Sequence, residues 1–467
     1  MNIDVSLVEE VVRKVMKEFN GIEQVRTSDN YGIFGTMDEA IDAAYLAQKE
    51  YLRCSISDRE RYIKAIREVI LKEENLEYLS RLAVEETGMG KYEHKYIKNK
   101  LAAEKTPGTE DLVTEAMAGD DGLTLIELSP FGVIGSITPT TNPTETIISN
   151  SIGMLAAGNS VVFSPHPKSK RVCIDIIKMI NKALKVEGAP RNLVVMVEEP
   201  SIENTNILMS HPKINMIVTT GGPAIVKKAM STGKKAIGAG AGNPPVVVDE
   251  TANIEKAAVD IINGCSFDNN LPCIAEKEVI SVDSITDYLI FNMKKSGAYE
   301  IQDKDVLDKL TSLVVDENGA PNKDLVGKSA IYILNKIGIE ADKDIKVIIA
   351  ETAKEHPLVQ HELMMPILPI VRANDVDEAI NIAVEVEHGN RHTAMMHSTN
   401  VEKLTKMAKL IQTTIFVKNG PSYAGIGVGG EGYSTFTIAG PTGEGLTSPK
   451  SFARRRRCVL VGGFHIK

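Results

Sequence analysis

The chain has 467 residues, more than one hydrophobic core organises, so two or three domains are expected. Its 43% hydrophobic and 25% charged residues are ordinary for a globular protein, and a net charge of -9 without long Lys/Arg blocks argues against a nucleic-acid binder, which needs a basic face. No run approaches the ~20 apolar residues of a membrane span, and five scattered cysteines without a Cys-x-x-Cys fit free thiols in a reducing compartment.

Residues 4–19 predict an amphipathic helix: Val8, Val11, Val12, Val15, Met16 and Phe19 follow a 3.6-residue period, while Glu9, Glu10, Arg13, Lys14, Lys17 and Glu18 fill the other face. Residues 20–36 read as a linker. A helix docked on its own domain and a helix offered to a partner's groove are both possible, and the linker favours the second. Three helices follow at 38–53, 57–74 and 75–104. After residues 114–122 the character changes, with strands at 123–128 and 132–137. Strand 160–163 then leads to helix 169–186, strand 193–197 to helix 201–210, and strand 216–219 to helix 223–231, the alternation of a doubly wound parallel sheet. Strand 246–248 and helix 254–264 precede a second α/β region to about residue 420. The glycine-rich stretch to Gly445 carries Tyr423, Tyr433, Phe436 and Ile438, which favours an ordered loop over a tail. Arg454, Arg455, Arg456 and Arg457 read as part of a strand pairing with an acidic surface, and the chain ends in a strand at 457–461.

One cysteine stands out. Cys273 follows Asp268, Asn269, Asn270 and Pro272 and precedes the strand-like Glu278–Val282, so its thiol belongs at a loop–element junction with outward backbone N–H groups. On local grounds a nucleophile and a buried packing cysteine stand level. His388, His392 and His397 match no zinc spacing, and His361-Glu362 lacks a second zincin histidine, so no metal is expected.

The order of these pieces resembles the aldehyde dehydrogenase superfamily. The resemblance is carried by PFGVIGSITP (130–139), AAGNSVVF (156–163), ELMMPILP (362–369) and Cys273 itself, and it covers the chain after about residue 37. TPTTNPTET (138–146), Ser164 to Pro167, GAGAGNPP (238–245) and GGEGYSTFTIAGPTGEGL (429–446) are similar to the CoA-acylating branch found in bacterial microcompartments. The implied fold is α/β with two doubly wound domains, a small oligomerisation β-extension and the N-terminal helix. Its divisions are a targeting helix 1–19, a linker 20–36, a cofactor domain 37–245 (with an oligomerisation strand near 123–128), a catalytic domain 246–420 with Cys273, and a return segment 421–467.

Departures from the hydrolytic members direct the chemistry. Where they carry the glutamate that activates water, Ala239 stands, and no Asp or Glu occurs between Lys234 and Val248. General-base help to water is worth ~10²–10⁴-fold, whereas a thiol is an accessible nucleophile near neutral pH. The acyl group should therefore pass to coenzyme A. The family's lysine after the cofactor strand is replaced by Ser164, followed by His166 and Pro167, so ribose recognition differs and NAD is expected with NADP possible.

The resemblance implies Cys273 as nucleophile and Asn142 with the Cys273 N–H as oxyanion donors. The hydrolytic asparagine lies one place earlier, at Thr141, so either side chain can complete the hole. Glu362 would hold the nicotinamide ribose, and Thr138, Pro139, His166, Pro167, Thr220, Gly221 and Gly222 would contact the cofactor. A plain tight turn also accounts for the two glycines. The expected substrate is a short aliphatic aldehyde, propionaldehyde ahead of others. Expected partners are coenzyme A, a shell protein docking residues 1–19, and further copies in a homodimer or homotetramer, inside a cytoplasmic bacterial microcompartment. Rival readings are a hydrolytic dehydrogenase, an acyl-phosphate reductase and a shell-associated scaffold.

Overall fold

The computed structural model describes residues 30–466, so the helix expected at 4–19 lies outside the described residues. Two parallel sheets organise the chain. In the first, the order is Ile33–Phe34, Val194–Val197, Ser160–Pro165, Val133–Thr138, Met216–Thr220 and Lys235–Ala239. The chain enters this sheet's centre at Val133–Thr138, winds outward to Val194–Val197, and then returns to the far side at Met216–Thr220. The strand order thus reverses beside Val133–Thr138, and that reversal opens a crevice at the carboxyl ends of the two strands. Burial on both faces explains the strands' unbroken apolar character: Val133–Thr138 and Ser160–Pro165 are buried at every position.

The second sheet runs Ala298–Glu300, Val347–Glu351, Ile367–Ala373, Glu278–Val282, Pro245–Val248, Thr393–His397 and Ile415–Lys418, again parallel throughout. A third, antiparallel sheet joins Glu115–Gly119, Gly122–Pro130 and Ala453–Val461. Its last strand contains the arginine run, and Arg455 pairs with Glu115 at 2.8 Å. That strand forms one edge of its sheet, with Val459, Leu460 and Val461 exposed.

Several local expectations are corrected. The third predicted helix is two, Glu73–Thr87 and Tyr92–Lys105, because Gly88 takes φ +67° and caps the first with a left-handed residue. The region read as linker to residue 36 contains the edge strand Ile33–Phe34, and Thr36 already forms a capping box with Glu39. The stretch 114–122 holds the strand Glu115–Gly119, and Lys235–Ala239, an extra strand of the first sheet, was hidden by Gly238 within it. Helix Pro143–Ala156 is buried at all 14 positions, wedged under the first sheet. It begins directly after Asn142, so the strand–helix junction 138–142 is anchored from both sides.

Candidate active site

Cys273 sits in the second position of a tight turn in which the Ala275 N–H donates to Pro272 O at 3.0 Å. The turn is aimed by what precedes it. Asp268, Asn269 and Asn270 take φ of +50°, +54° and +66°, a left-handed run that Asp and Asn tolerate better than other side-chain-bearing residues. Asn270 Nδ2 donates to the carbonyls of Cys265 and Glu276, and Lys277 Nζ donates to Asn270 Oδ1 at 2.5 Å, which fastens both ends of the loop. Gly242 lies against the turn: a Cβ there would stand 3.0 Å from Cys273 O and 2.9 Å from the His392 ring, so only glycine fits without displacement.

The half-buried thiol opens into a cleft of ≈ 160 Å³ between the two parallel sheets. Leu271, Ile274, Met364, Ile426, Phe436 and Ile438 supply its apolar wall. Pro139, Thr141, Asn142, Thr220, Gly221, Gly222 and Glu362 supply the polar side. The glycine-rich segment closes over it as an ordered loop, with Lys105 Nζ donating to Gly427 O at 2.7 Å and Thr220 Oγ1 meeting Thr437 Oγ1 at 3.1 Å.

The cleft is electrostatically poised. Burial first, and then the nearby Glu362 carboxylate, push the Cys273 thiol up to about 12, while Lys277, the cysteine's own N–H and Lys98 pull the other way. Burial also raises Glu362 to about 7, against Lys277 and a backbone hydrogen bond from Gly242. Glu362 Oε1 has no hydrogen-bond partner. A buried acceptor left open in this way fits a ribose hydroxyl. Glu276, also about 7, is held instead by the Ser422 N–H and Oγ at 2.8 and 2.7 Å and does not line the cleft.

The structure brings Cys273, Asn142, Thr141, Glu362, Pro139, Thr220, Gly221 and Gly222 to one cleft. Thr138 lies beneath it, buried, in register with Pro165. His166 and Pro167 are not at the cleft: they are exposed just past the end of the neighbouring strand, where His166 Nδ1 accepts from the Lys168 N–H. Ala239 ends its strand 2% exposed, so no carboxylate enters from that side. Among the described residues no cluster of three or more His, Cys, Asp or Glu is arranged to hold a metal, and no helix is long and apolar enough to cross a membrane.

The sequence pattern of the aldehyde dehydrogenase family matches residues 32–324 and 342–447. The chain belongs to that family. It is 52% identical, over the full length of both chains, to a CoA-propanoylating propanal dehydrogenase of Citrobacter freundii. Among solved structures it is similar to the Rhodopseudomonas palustris propionaldehyde dehydrogenase with bound CoA and an acylated cysteine, at 69% identity, TM-score 0.92, covering 94% of this chain and 100% of that one. It is also similar to a propionaldehyde dehydrogenase of the Clostridium phytofermentans fucose-utilisation microcompartment, at 54% identity, TM-score 0.91, covering 93% and 100%.

Sequence reasoning missed part of this family member's site. His392 is 1% exposed with Nε2 unpartnered, and burial lowers it to about 4, so it packs beside the cysteine turn as a neutral imidazole. Lys95, Lys98, Asp268 and Glu145 form a buried charge cluster behind Thr141 and Asn142. No local signal marked them. A lysine in a helix reads as solvated surface until the fold buries it.

Proposed function

We propose that the chain oxidises a short aliphatic aldehyde, propionaldehyde first, and transfers the acyl group to coenzyme A through a thioester on Cys273. One observation carries this reading. The cysteine faces an apolar cleft in which Glu362 is the carboxylate of the lining, and Ala239 stands where a water-activating glutamate would be needed.

The Cys273 thiol releases its proton to solvent and its sulfur attacks the aldehyde carbon, forming a C–S bond as the carbonyl π pair moves onto oxygen. That oxyanion is received by the Cys273 N–H and the Asn142 amide, both of which line the cleft. A nicotinamide dinucleotide, when bound, supplies the hydride acceptor that converts the thiohemiacetal to the thioester. Glu362 fits a ribose hydroxyl through its open Oε1, and Thr220, Gly221 and Gly222 flank the crevice where the first sheet reverses order. Coenzyme A thiolate then attacks the thioester carbon, the same donors hold the second oxyanion, and Cys273 leaves as thiolate. Apolar walls at Leu271, Ile274, Phe436 and Ile438 suit a short alkyl chain.

The amphipathic pattern of residues 4–19 and the relative from a microcompartment support docking of that segment on a shell protein, with the enzyme inside a cytoplasmic microcompartment. The exposed edge Ala453–Val461 supports assembly into a homodimer or homotetramer.

Mass spectrometry of the product formed from propionaldehyde, NAD and coenzyme A tests the central reading. Propionyl-CoA is expected, and with coenzyme A omitted, a propionyl adduct on Cys273. Accumulation of propionate in both cases would overturn it.

A further inference from the structure

Asn142 occupies the N-cap of helix Pro143–Ala156, a position where an asparagine side chain ordinarily accepts from the N–H groups of its own first turn. Here it makes no such bond. Its Oδ1 instead receives a hydrogen bond from Lys98 Nζ, which reaches it from helix Tyr92–Lys105. An ammonium group has donors and no acceptor, so the amide oxygen must face Lys98 and the NH₂ must face away. Asn142 lines the Cys273 cleft, and that leaves the NH₂, otherwise 3.4 Å from Thr141 Oγ1, as the donor available to it.

Lys98 is itself fully buried and held by Asp268 at 2.6 Å and Glu145 at 2.9 Å. Lys95 completes the cluster, 3.1 Å from Asp268, and donates to the carbonyl of Thr141. Asp268 lies on the loop that delivers Cys273, where its Oδ1 accepts from the Lys91 N–H at 2.8 Å and its own N–H donates to His94 Nδ1 at 2.7 Å. One buried ion cluster therefore joins the arm bearing the amide to the loop bearing the sulfur. Gly90 permits this approach, since a Cβ there would fall 2.3 Å from Asp268 Oδ1.

We infer that Lys98 is a positioning residue for the acyl-transfer steps: it locks the Asn142 amide with its NH₂ toward the carbonyl oxygen bound at Cys273. Without it both amide orientations become accessible, and the flipped one turns a carbonyl oxygen toward the developing oxyanion. The inference rests on Asn142 as an oxyanion donor, so the test separates the two.

The measurement is the rate at which propionyl-CoA acylates Cys273 without nicotinamide cofactor, followed by mass, alongside steady-state kcat and KM. Asn142→Ala should slow acylation by about 10²–10³-fold; an unchanged rate would remove the oxyanion reading itself. Lys98→Met should slow it by about 10²-fold in the native background, lowering kcat with KM for coenzyme A nearly unchanged, and by no more than about threefold in the Asn142→Ala background. Equal slowing in both backgrounds would overturn the positioning role while leaving Asn142 in place. Should Lys98→Met not fold, the same cycle in Lys98→Met/Glu145→Gln, where the cluster stays neutral, gives the comparison. There too, a slowing that survives removal of Asn142 refutes the inference.

Discussion

After burial itself, the Glu362 carboxylate is the largest influence keeping the proton on Cys273, and the two side chains line the same cleft. Glu362 is raised to about 7, so its charge, and with it this influence, appears as pH rises through neutrality. Alkylation of the cofactor-free protein by iodoacetamide should therefore climb with pH without a plateau below pH ~9, as a thiol near 12 requires. Glu362→Gln should react like the native protein at pH ~6 and progressively faster above about 7. A rate ratio independent of pH would show that the two groups are uncoupled.

Asp268→Asn should destabilise the fold by about 3–5 kcal/mol, because it leaves Lys95 and Lys98 buried with Glu145 as their remaining carboxylate partner. Burial works against the Asp268 charge, yet the two ammonium groups hold it down at about 2. Its pKa is thus depressed below the unfolded value of ~3.9. The stabilisation is complete above pH ~4 and is lost as pH falls through about 2. Urea midpoints measured down the acid range should show the variant's deficit shrinking there. A deficit constant with pH would contradict an ionised Asp268.

Gly242→Ala places a methyl group 3.0 Å from Cys273 O and 2.9 Å from the His392 ring. The expected cost in stability is modest, about 1–3 kcal/mol. Turnover should fall more steeply, by roughly 10²-fold, because a shift near 1 Å at the nucleophile disrupts its alignment. Native-like melting with full activity would mean that the cysteine turn has slack.

Charge placed on the open edge of the third sheet should break association between copies. Val459 and Val461 are 55% and 80% exposed in a single chain. Val459→Lys combined with Val461→Lys is expected to lower the particle mass seen by light scattering. Unchanged mass would move the interface elsewhere.

Removing residues 1–19 should leave kcat and KM of the isolated enzyme nearly unchanged while abolishing co-purification with shell proteins. Loss of folding on removal would make that segment part of the core.

Much of the site was legible because its parts carry local signatures. Cys273 stands out by the Asp/Asn/Pro residues before it, Glu362 and Asn142 by the segments that resemble the family, and the glycines at 221 and 222 by their place between strand and helix. His166 and Pro167 share the strand-end position of the cleft residues, but they follow the neighbouring strand and lie exposed outside the cleft. The break at Gly88 and the strand Lys235–Ala239 were missed for one reason: a glycine reads alike as an interruption and as a residue inside an element until its φ is set by what surrounds it.

From its own residues the chain determined two alternating α/β regions, the cysteine between them and the lack of a carboxylate around Ala239, since apolar period and residue chemistry are written locally. Only the tertiary structure decided which way the Asn142 amide faces. That choice is made by a lysine 44 positions earlier in the chain, buried by the packing of helix Tyr92–Lys105 against helix Pro143–Ala156 and against the cysteine's loop. Long-range burial of charge leaves no periodicity to read, because it depends on which surfaces meet and not on the order of residues within either one.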